Sequence, residues 1–294
     1  MRSETGIGPL LTVDVEEWFH VCGEPAYADP STWDGRIKRV HVGVETILEM
    51  LAPTRSRATF FVLGWVARQS PALIRRIASA GHEIGCHGDL HRRLFEISPD
   101  EFRADLRRSR DTLEQILGSP VTAYRAPEWS MRTPSNPALS ILVEEGFRVD
   151  SSLVAARPVG LETNPQSATW IDTPAGRILE VPPLMGSFFF RRAMLGGGVC
   201  SRLSRFARVT GAIDRALAEG RSAVIYFHPW EFDPDHPAMT LSPLGRLIHF
   251  GGRNRSLPRL RRLLDRYDFR PISESQAPGE QNAEVIPLRR GARA

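Results

Sequence analysis

Three carboxylates lie close together near the start of the chain, at Asp14, Glu16 and Glu17. They follow an apolar, β-branched run that is typical of a buried strand. On an extended backbone, Asp14 and Glu16 point to one side and Glu17 to the other. Because neighbouring carboxylates repel one another, a cation or a shared proton is needed to relieve the repulsion. The cluster is a candidate metal or proton-transfer site, although taken alone it is more typical of the acidic start of a helix.

Two histidines, His87 and His91, follow the third predicted strand. At positions i and i+4, both imidazoles lie on one face of a helical turn and can reach one divalent ion at about 2.0 to 2.1 Å. Two histidines and one carboxylate leave coordination positions open for water and substrate, which a hydrolytic metal site requires. The nearby His82 is interpreted as structural. A lone H-x3-H pair is a weak signal, and the acidic strand end strengthens it.

Arg125 and His228 each come directly after a predicted strand. An arginine beside a carboxylate orients it, so we expect Asp14 or Glu16 as the partner of Arg125. His228 ends a fully apolar strand and is a candidate proton donor. The alternatives are a surface turn at Arg125 and a core histidine bonded to a backbone carbonyl at His228.

These residues must be positioned by alternating strands and helices. Apolar runs predict strands over 10–15, 58–63, 82–86, 121–125 and 223–227, and helical spacing predicts helices over 40–51, 71–80, 99–117, 136–145, 203–219 and 257–267. Repeated strand-then-helix units predict a mostly parallel sheet, open or closed into a barrel. Functional side chains then lie at the carboxyl ends of the strands, where the candidate residues fall.

The middle and the end of the chain differ from this pattern. Residues 169–182 alternate around a Pro-Ala-Gly turn and predict a hairpin, and the triple glycine 196–198 predicts a flexible loop. The glycines lack the spacing of a phosphate-binding loop. The polar residues 276–294 predict a disordered tail. We therefore expect one domain over 1–275, with an extension particular to the family from about residue 235.

In their order along the chain, these motifs resemble the NodB-homology polysaccharide deacetylases, carbohydrate esterase family 4. The chain is most similar to the branch associated with exosortase and exopolysaccharide gene clusters. The stretches that carry the resemblance are VDVEEWF at 13–19, GHEIGCHGDLH at 81–91, RAPEWS at 125–130, DSSL at 150–153 and HPWE at 228–231. The resemblance spans roughly residues 10–268, and it implies a distorted (β/α) barrel with seven rather than eight strands.

The resemblance also implies a role for each matching residue. By position, Asp14 is the general base and His228 the general acid; Glu16, His87 and His91 are metal ligands; Arg125 orients Asp14; Asp150 hydrogen-bonds within the site; Trp129 and Trp230 wall the acetyl or sugar pocket or pack in the core. The family commonly has two adjacent aspartates and a glycine where this chain has Asp14-Val15-Glu16-Glu17. Strand alternation favours Glu16 as the ligand, whereas a bend would bring in Glu17, which we otherwise place beside the substrate.

The activity implied is that of a metal-dependent hydrolase of carbon–nitrogen bonds other than peptide bonds. Its metal is Zn²⁺, with Co²⁺ or Mn²⁺ as alternatives, and it removes N-acetyl groups from amino sugars of a polysaccharide or a lipid-linked glycan precursor in exopolysaccharide biosynthesis. Two other functions remain open. One is an amidohydrolase of a small cyclic amide such as allantoin, and the other is a non-catalytic glycan-binding protein.

The overall composition excludes several classes of protein. The 294 residues are 41% hydrophobic and 24% charged, which excludes collagenous, disordered and disulfide-rich chains. The net charge is +4, and Lys38 is the only lysine. Because the arginines are spread over the chain, we expect no nucleic-acid partner. The densest arginine cluster, 253–266, carries leucines at helical spacing and predicts the outer face of an amphipathic helix, with peripheral contact to the inner membrane as a minor alternative.

The cysteines and residues 1–20 indicate the cellular compartment in which we expect the protein. Cys22, Cys86 and Cys200 are odd in number and have no CxxC spacing, so a disulfide framework is not expected. Residues 1–20 have no signal-peptide pattern, and no apolar stretch approaches the roughly 18 to 20 residues of a membrane helix. We therefore expect a cytoplasmic enzyme.

Overall fold

The computed structural model describes residues 8–21, 24–189 and 191–275. The strands in these ranges are β1 Leu10–Val15, β2 Thr59–Val62, β3 Glu83–Cys86, β4 Ala123–Tyr124, β5 Val149–Asp150, β6 Thr169–Thr173, β7 Gly176–Glu180, β8 Met185–Phe188, β9 Arg191–Met194 and β10 Val224–Phe227. The α-helices are α1 Pro25–Ala28, α2 Val40–Leu51, α3 Gly64–Gln69, α4 Pro71–Ser79, α5 Pro99–Leu117, α6 Ala138–Glu144, α7 Gly198–Leu203, α8 Phe206–Ala218, α9 Pro243–Phe250 and α10 Ser256–Leu264. The predicted tail 276–294 lies outside the described residues.

The main sheet has the strand order β10-β1-β2-β3-β4-β5-β7-β6. Every pair in it is parallel except β6 with β7, which form the predicted hairpin at one edge. The chain leaving β7 returns to the other edge, where Pro183 forms a parallel bridge with Val224 and the Leu184 amide donates to the Val224 carbonyl at 3.0 Å. Seven parallel strands thus curl into the distorted (β/α) barrel that the alternation of elements and the family resemblance predict.

The core explains why these segments form these elements. All six residues of β1 are buried, as expected for a strand covered on both faces. Helix α2 buries Val44, Ile47 and Leu51, which recur at helical spacing and pack against the sheet. Helix α5 begins at a capping box formed by Ser98 and Glu101. The helices therefore fix the strand ends at which the candidate site residues lie.

Several predicted elements need correction. Helix α3 was not predicted, because its six residues are too few to show a clear period. The helix predicted over 203–219 is α8, which begins at Phe206; Leu203 ends the separate helix α7, and Ser204 between them is extended. The glycines 196–198, predicted as a flexible loop, pack closely instead: a Cβ on Gly196 would lie 2.3 Å from the Val224 carbonyl oxygen, so glycine there lets the chain pass against β10, and Gly198 begins α7. The hairpin β8–β9 and helix α9 were also not predicted.

The arginine-rich helix, the cysteines and the lengths of the helices bear on the remaining expectations. In the arginine-rich helix α10, Arg259 is buried rather than on the outer face, and its guanidinium donates to the Ser204 carbonyl at 2.8 Å. Cys86 and Cys200 are free thiols, and Cys22 lies outside the described residues. In the part of the chain that the structure describes, none of the helices has the length and apolar character needed to cross a bilayer.

Candidate active site

A carboxylate and two imidazoles meet at the carboxyl ends of β1 and β3. Glu16 Oε1 lies 3.0 Å from His87 Nε2 and 2.9 Å from His91 Nε2. All three residues are buried. Burial alone would raise the pKa of the Glu16 carboxyl, but the charge of His91 and hydrogen bonds from both histidines hold that pKa well below its usual value. The site therefore favours an ionised carboxylate between two imidazoles.

The backbone around the histidines fixes their direction. His87 Nδ1 lies 2.8 Å from the Arg125 carbonyl oxygen, which leaves Nε2 to face Glu16. His91 has a left-handed backbone with φ 52°, as has Gly88 with φ 79°. A non-glycine residue in this region is strained, and such strain is concentrated at functional sites. The loop after β3 thus brings two histidines together by a turn rather than by a regular helix.

Glu16 and Glu17 lie on opposite sides of the chain, as strand alternation predicts. Both carboxylate oxygens of Glu17 accept from the Arg39 amide, at 3.0 and 2.9 Å, so Glu17 caps the start of α2. Burial raises the pKa of Glu17 to about 7, against the hydrogen bonds from the backbone of Arg39 and Val40. Glu17 is absent from the lining of the cleft described below. The structure therefore does not bring Glu17 to a substrate or to the histidine pair.

Arg125 reaches across the barrel to Asp14. Its Nη1 lies 2.7 Å from Asp14 Oδ1 and 2.7 Å from the Thr12 hydroxyl, and its Nη2 donates to the Ser151 hydroxyl at 2.8 Å. The guanidinium is fully buried and lies 4.5 Å from the centre of the Trp129 ring. Of the two partners expected for Arg125, the structure selects Asp14, which it holds in a fixed direction beside Glu16.

Asp150 lies behind this site and does not line the cleft. Its Oδ1 accepts from the Ser152 hydroxyl at 2.5 Å, and Ser152 Oγ accepts from the Ala126 amide at 2.8 Å. Burial raises the pKa of Asp150 to about 6, against hydrogen bonds from Glu180 and Ser152, and burial also raises the pKa of Glu180. The position suits a residue that fixes the loop after Arg125.

His228 is held from behind by a buried carboxylate. Its Nδ1 lies 2.9 Å from Glu231 Oε1, and Glu231 Oε2 accepts from the Ser256 hydroxyl at 2.6 Å and pairs with Arg202 at 3.0 Å. Burial lowers the pKa of His228, but the hydrogen bond to Glu231 and the charges of Glu16, Glu231 and Asp14 raise it above the ordinary value overall. Since Nδ1 is engaged, Nε2 is the ring nitrogen available to a substrate.

Asp14, Glu16, His91 and His228 line one open cleft of about 580 Å³. A ring nitrogen of His228 lies within 4.8 Å of carboxylate oxygens of Asp14 and Glu16. Trp129 and Trp230 line the cleft, as does an apolar wall that includes Val154, Ala156, Val159, Met194, Val199, Leu244 and Ile248. The cleft thus joins ionisable groups to a surface suited to a larger, partly apolar ligand.

Sequence reasoning missed three residues of the site. His20 lines the cleft, its ring stacks on His91 with 6.0 Å between centroids, and its Nε2 is buried with no partner in the described ranges. Glu231 and Arg202 form the buried pair behind His228. The stretch HPWE places Glu231 three residues after His228, which is the reach of a turn. No local pattern marks Arg202, because its partner is distant in the chain.

Glu16, His87 and His91 have the types and spacing of ligands that bind a divalent metal ion. Glu16, His87 and His91 offer ligand atoms that all lie within 4.8 Å of one another. Two imidazoles and one carboxylate form a known ligand set for Zn²⁺ and similar ions. The His87 contact to a backbone carbonyl is the outer hydrogen bond that metal-binding histidines usually make. These residues fit a metal centre.

Comparison with known proteins gives two matches to family models along the chain. Residues 32–146 match the model of the polysaccharide deacetylases, and residues 151–277 match a domain of unknown function, DUF3473. Residues 32–146 belong to the polysaccharide deacetylase family. The polysaccharide deacetylase segment includes His87, His91 and Arg125, whereas Asp14 precedes it and His228 lies in the second match.

Curated relatives of the polysaccharide deacetylase segment are matched over part of their length. A peptidoglycan-N-acetylglucosamine deacetylase of Bacillus cereus is 35% identical over 81 residues, 28% of this chain and 30% of that protein. A peptidoglycan deacetylase of Helicobacter pylori is 28% identical over 113 residues, 38% of each chain. The chain thus covers about a third of the length of these relatives.

Solved structures share the polysaccharide deacetylase fold over most of the chain. A putative polysaccharide deacetylase from Mycobacterium smegmatis has a TM-score of 0.59 at 24% identity, covering 90% of this chain and 86% of that one. A probable polysaccharide deacetylase from Pseudomonas aeruginosa has a TM-score of 0.56 at 16% identity, over 87% and 83%. Puue allantoinase has a TM-score of 0.55 at 17% identity, over 87% and 82%. The fold alone therefore does not separate these activities.

Proposed function

We propose that the protein is a metal-dependent deacetylase that removes N-acetyl groups from amino sugars of a polysaccharide or a lipid-linked glycan precursor. The observation that carries this proposal is the convergence of two different groups on one cleft. Glu16 with His87 and His91 forms a metal-type donor set, and His228 with its buried carboxylate partner lies beside it. The relatives named for peptidoglycan deacetylation support the same reaction class.

The metal that we propose is Zn²⁺, with Co²⁺ or Mn²⁺ as alternatives, held by Glu16, His87 and His91. When bound, such an ion lowers the pKa of a water molecule to about 7 and polarises a carbonyl group. The carboxylate of Glu16 supplies the negative charge of the ligand set. The backbone carbonyl of Arg125 fixes His87 in the tautomer that presents Nε2.

Asp14 is the general base in this proposal. It lies in the cleft, and the Nη1 contact at 2.7 Å from Arg125 orients its carboxylate. One oxygen is thereby engaged, and the other can accept the proton of the water that attacks the acetyl carbonyl. Asp150 acts indirectly, since its hydrogen bonds through Ser152 fix the backbone after Arg125.

His228 is the general acid. The bond to Glu231 and the nearby carboxylates raise the pKa of His228, which favours the protonated ring, and the Nε2 proton of that ring lies on the cleft side. The amine of an amino sugar is a poor leaving group without a proton, and His228 donates it as the carbon–nitrogen bond breaks. The products are acetate and a free amino sugar.

The shape of the cleft favours a glycan over a small cyclic amide. Its open form and its volume of about 580 Å³ suit one or more sugar rings. Trp129 and Trp230 line it but are buried, and the Trp230 ring stacks with His228 and His249, so both also pack in the core. We place the reaction in exopolysaccharide biosynthesis, on a precursor in the cytoplasm, on the strength of the motif resemblance described above. We also treat residues 1–275 as one domain with a family-specific extension from about residue 235.

Acetate release from N-acetylhexosamine oligomers tests the proposal. We expect release by the purified protein, its loss with a chelator, and its return when Zn²⁺ is added. Asp14→Asn should stay inactive with Zn²⁺ present. Turnover of allantoin but of no oligomer would replace the proposal with the cyclic amidohydrolase. Metal-loaded protein that binds oligomers and releases no acetate would replace it with a glycan-binding function.

A further inference from the structure

Helix α9 exposes the apolar face that a helix of a soluble domain normally buries. Leu244, Leu247 and Ile248 stand at i, i+3 and i+4 and are 66%, 52% and 50% exposed. The helix instead packs inward through His249, whose ring stacks on Trp230 with 4.0 Å between centroids. We call Leu244, Leu247 and Ile248 the α9 face. Its three exposed side chains are contiguous, and a contiguous exposed apolar patch marks an interaction surface.

The α9 face is continuous with the active-site cleft. Leu244 and Ile248 line that cleft, while Leu247 does not. Helix α7 contacts both α9 and strand β9, and β9 adds Arg192, Ala193 and Met194 to the cleft lining. At the turn of this hairpin, Phe189 is 78% exposed. One wall of the cleft therefore carries exposed apolar side chains outward from the site.

The surroundings of the α9 face are positively charged. Residues 181–213 contain five arginines and residues 236–264 contain six, of which Arg202 and Arg259 are buried, and neither segment contains an Asp or a Glu. These segments form β8, β9, α7, the first part of α8, α9 and α10. Arg191, Arg192, Arg205 and Arg246 are exposed. Acids lie near this surface as well: the Glu24 carboxylate accepts from the Ser242 amide at 3.1 Å, and Asp233 and Asp235 precede His236, whose ring contacts Phe250 of α9. Apolar side chains among exposed arginines complement an anionic lipid surface.

We propose that the α9 face docks onto an anionic lipid bilayer, with its leucines among the acyl chains and its arginines at the headgroups. Docking places the mouth of the cleft at the membrane surface. A glycan attached to a lipid could then enter the cleft while its lipid stays in the bilayer, a consequence that rests on the proposed function. Docking itself requires only the surface.

Sedimentation of the full chain with lipid vesicles tests the docking. We expect binding to phosphatidylcholine vesicles that contain about 30% phosphatidylglycerol, and much weaker binding to phosphatidylcholine alone. Leu247→Glu should weaken binding about tenfold or more because it puts a charge among the acyl chains. Ile37→Glu is the matched control, since Ile37 is 65% exposed and lies outside α7, α9 and the hairpin. It should bind as the parent does.

A second pair of variants tests how much the arginines contribute to vesicle binding. Arg246→Glu should weaken binding about fivefold or more, and the loss should shrink at high salt. Arg75→Glu, the same change at an exposed position of α4, should have little effect. Equal melting temperatures for all four variants show that each remains folded.

Three outcomes would overturn the docking. They are no vesicle binding by the parent chain, equal binding by the Leu247 and Ile37 variants, and a dimer that Leu247→Glu dissociates while vesicles are not bound. The last result would assign the α9 face to a second copy of the chain. Because binding is measured without turnover, failure of docking and failure of the deacetylase reaction are separate results.

Discussion

The cleft contains two histidine–carboxylate groups that are built differently. In the first, Glu16 Oε1 lies within 3.0 Å of two imidazole nitrogens, and no arginine or lysine pairs with Glu16 among the described residues. In the second, Glu231 meets one imidazole, that of His228, and is paired from behind with the buried Arg202. The first group therefore has a carboxylate with no fixed cation beside it, while the carboxylate of the second is ionised and ion-paired with an arginine.

In the proposed function, this difference separates the two roles that hydrolysis of an amide requires. A carboxylate with two histidines and no fixed cation is a site for a mobile cation. A carboxylate held by arginine cannot leave its histidine without stranding a buried charge, so it keeps His228 in place and raises its pKa. The first group fits a metal ion, and the second fits a proton donor.

The largest effect is expected in the first group. His87→Ala removes one of three ligands and should lower acetate release by about a thousandfold or more, together with the bound metal. Metal content by mass spectrometry and acetate release measure the two losses. His41→Ala, at an exposed position of α2, is the matched control and should change neither. A variant at His87 that keeps full activity would contradict the ligand assignment.

A smaller effect is expected behind His228. Glu231→Gln keeps the size of the side chain but removes its charge, and it should lower acetate release about 10- to 100-fold while the metal content stays unchanged. Ser256→Ala removes only a neutral donor to the same carboxylate and should cost less than about threefold. Equal losses for the two variants would show that packing, rather than the charge of Glu231, matters at this position.

A third carboxylate, that of Glu145, is bonded to arginines rather than to a histidine, and we expect it to affect stability rather than catalysis. Glu145 bonds to Arg103, Arg107 and Arg110 outside the cleft, and the bond from Arg107, followed by those of its neighbours, lowers the pKa of Glu145 to about 2. Glu145→Gln should lower the free energy of unfolding at pH 7 by about 1 to 2 kcal/mol. It should leave the rate of acetate release per folded molecule unchanged.

The pH dependence of that loss has a definite sign. The pKa of Glu145 is lowered in the folded state, so its stabilisation is complete above the ordinary glutamate pKa and disappears as the pH falls through the folded value. Urea unfolding should therefore show a full difference between Glu145→Gln and the parent above about pH 5, which narrows toward pH 2. Glu144→Gln, at a neighbouring residue whose side chain is 47% exposed, should show little difference at any pH.

The first group, Glu16 with His87 and His91, could be predicted from the sequence because its residues lie in short motifs at strand ends. Asp14 and Glu16 share one side of β1 by alternation, and His87 and His91 share one loop. The barrel was predictable for the same reason, since buried parallel strands are continuous apolar runs and α2 and α5 have clear periods.

The second group could not be found in this way. Arg202 and Glu231 belong to different elements and meet only when α7 packs against the loop after β10. Helix α9 was missed because it is short and because Pro243, Gly245 and Gly251 in and beside it are typical of loops. Glu17 shows the converse case: a carboxylate beside the site in sequence is turned by the strand to cap α2 instead.

The division of labour between the two groups is tested most directly by the metal content of His228→Ala measured beside that of His87→Ala. We predict that His228→Ala retains the metal of the parent chain and loses acetate release by about a hundredfold or more, while His87→Ala loses both. Loss of metal from His228→Ala, or full activity in it, would contradict the assignment of His228 as the proton donor.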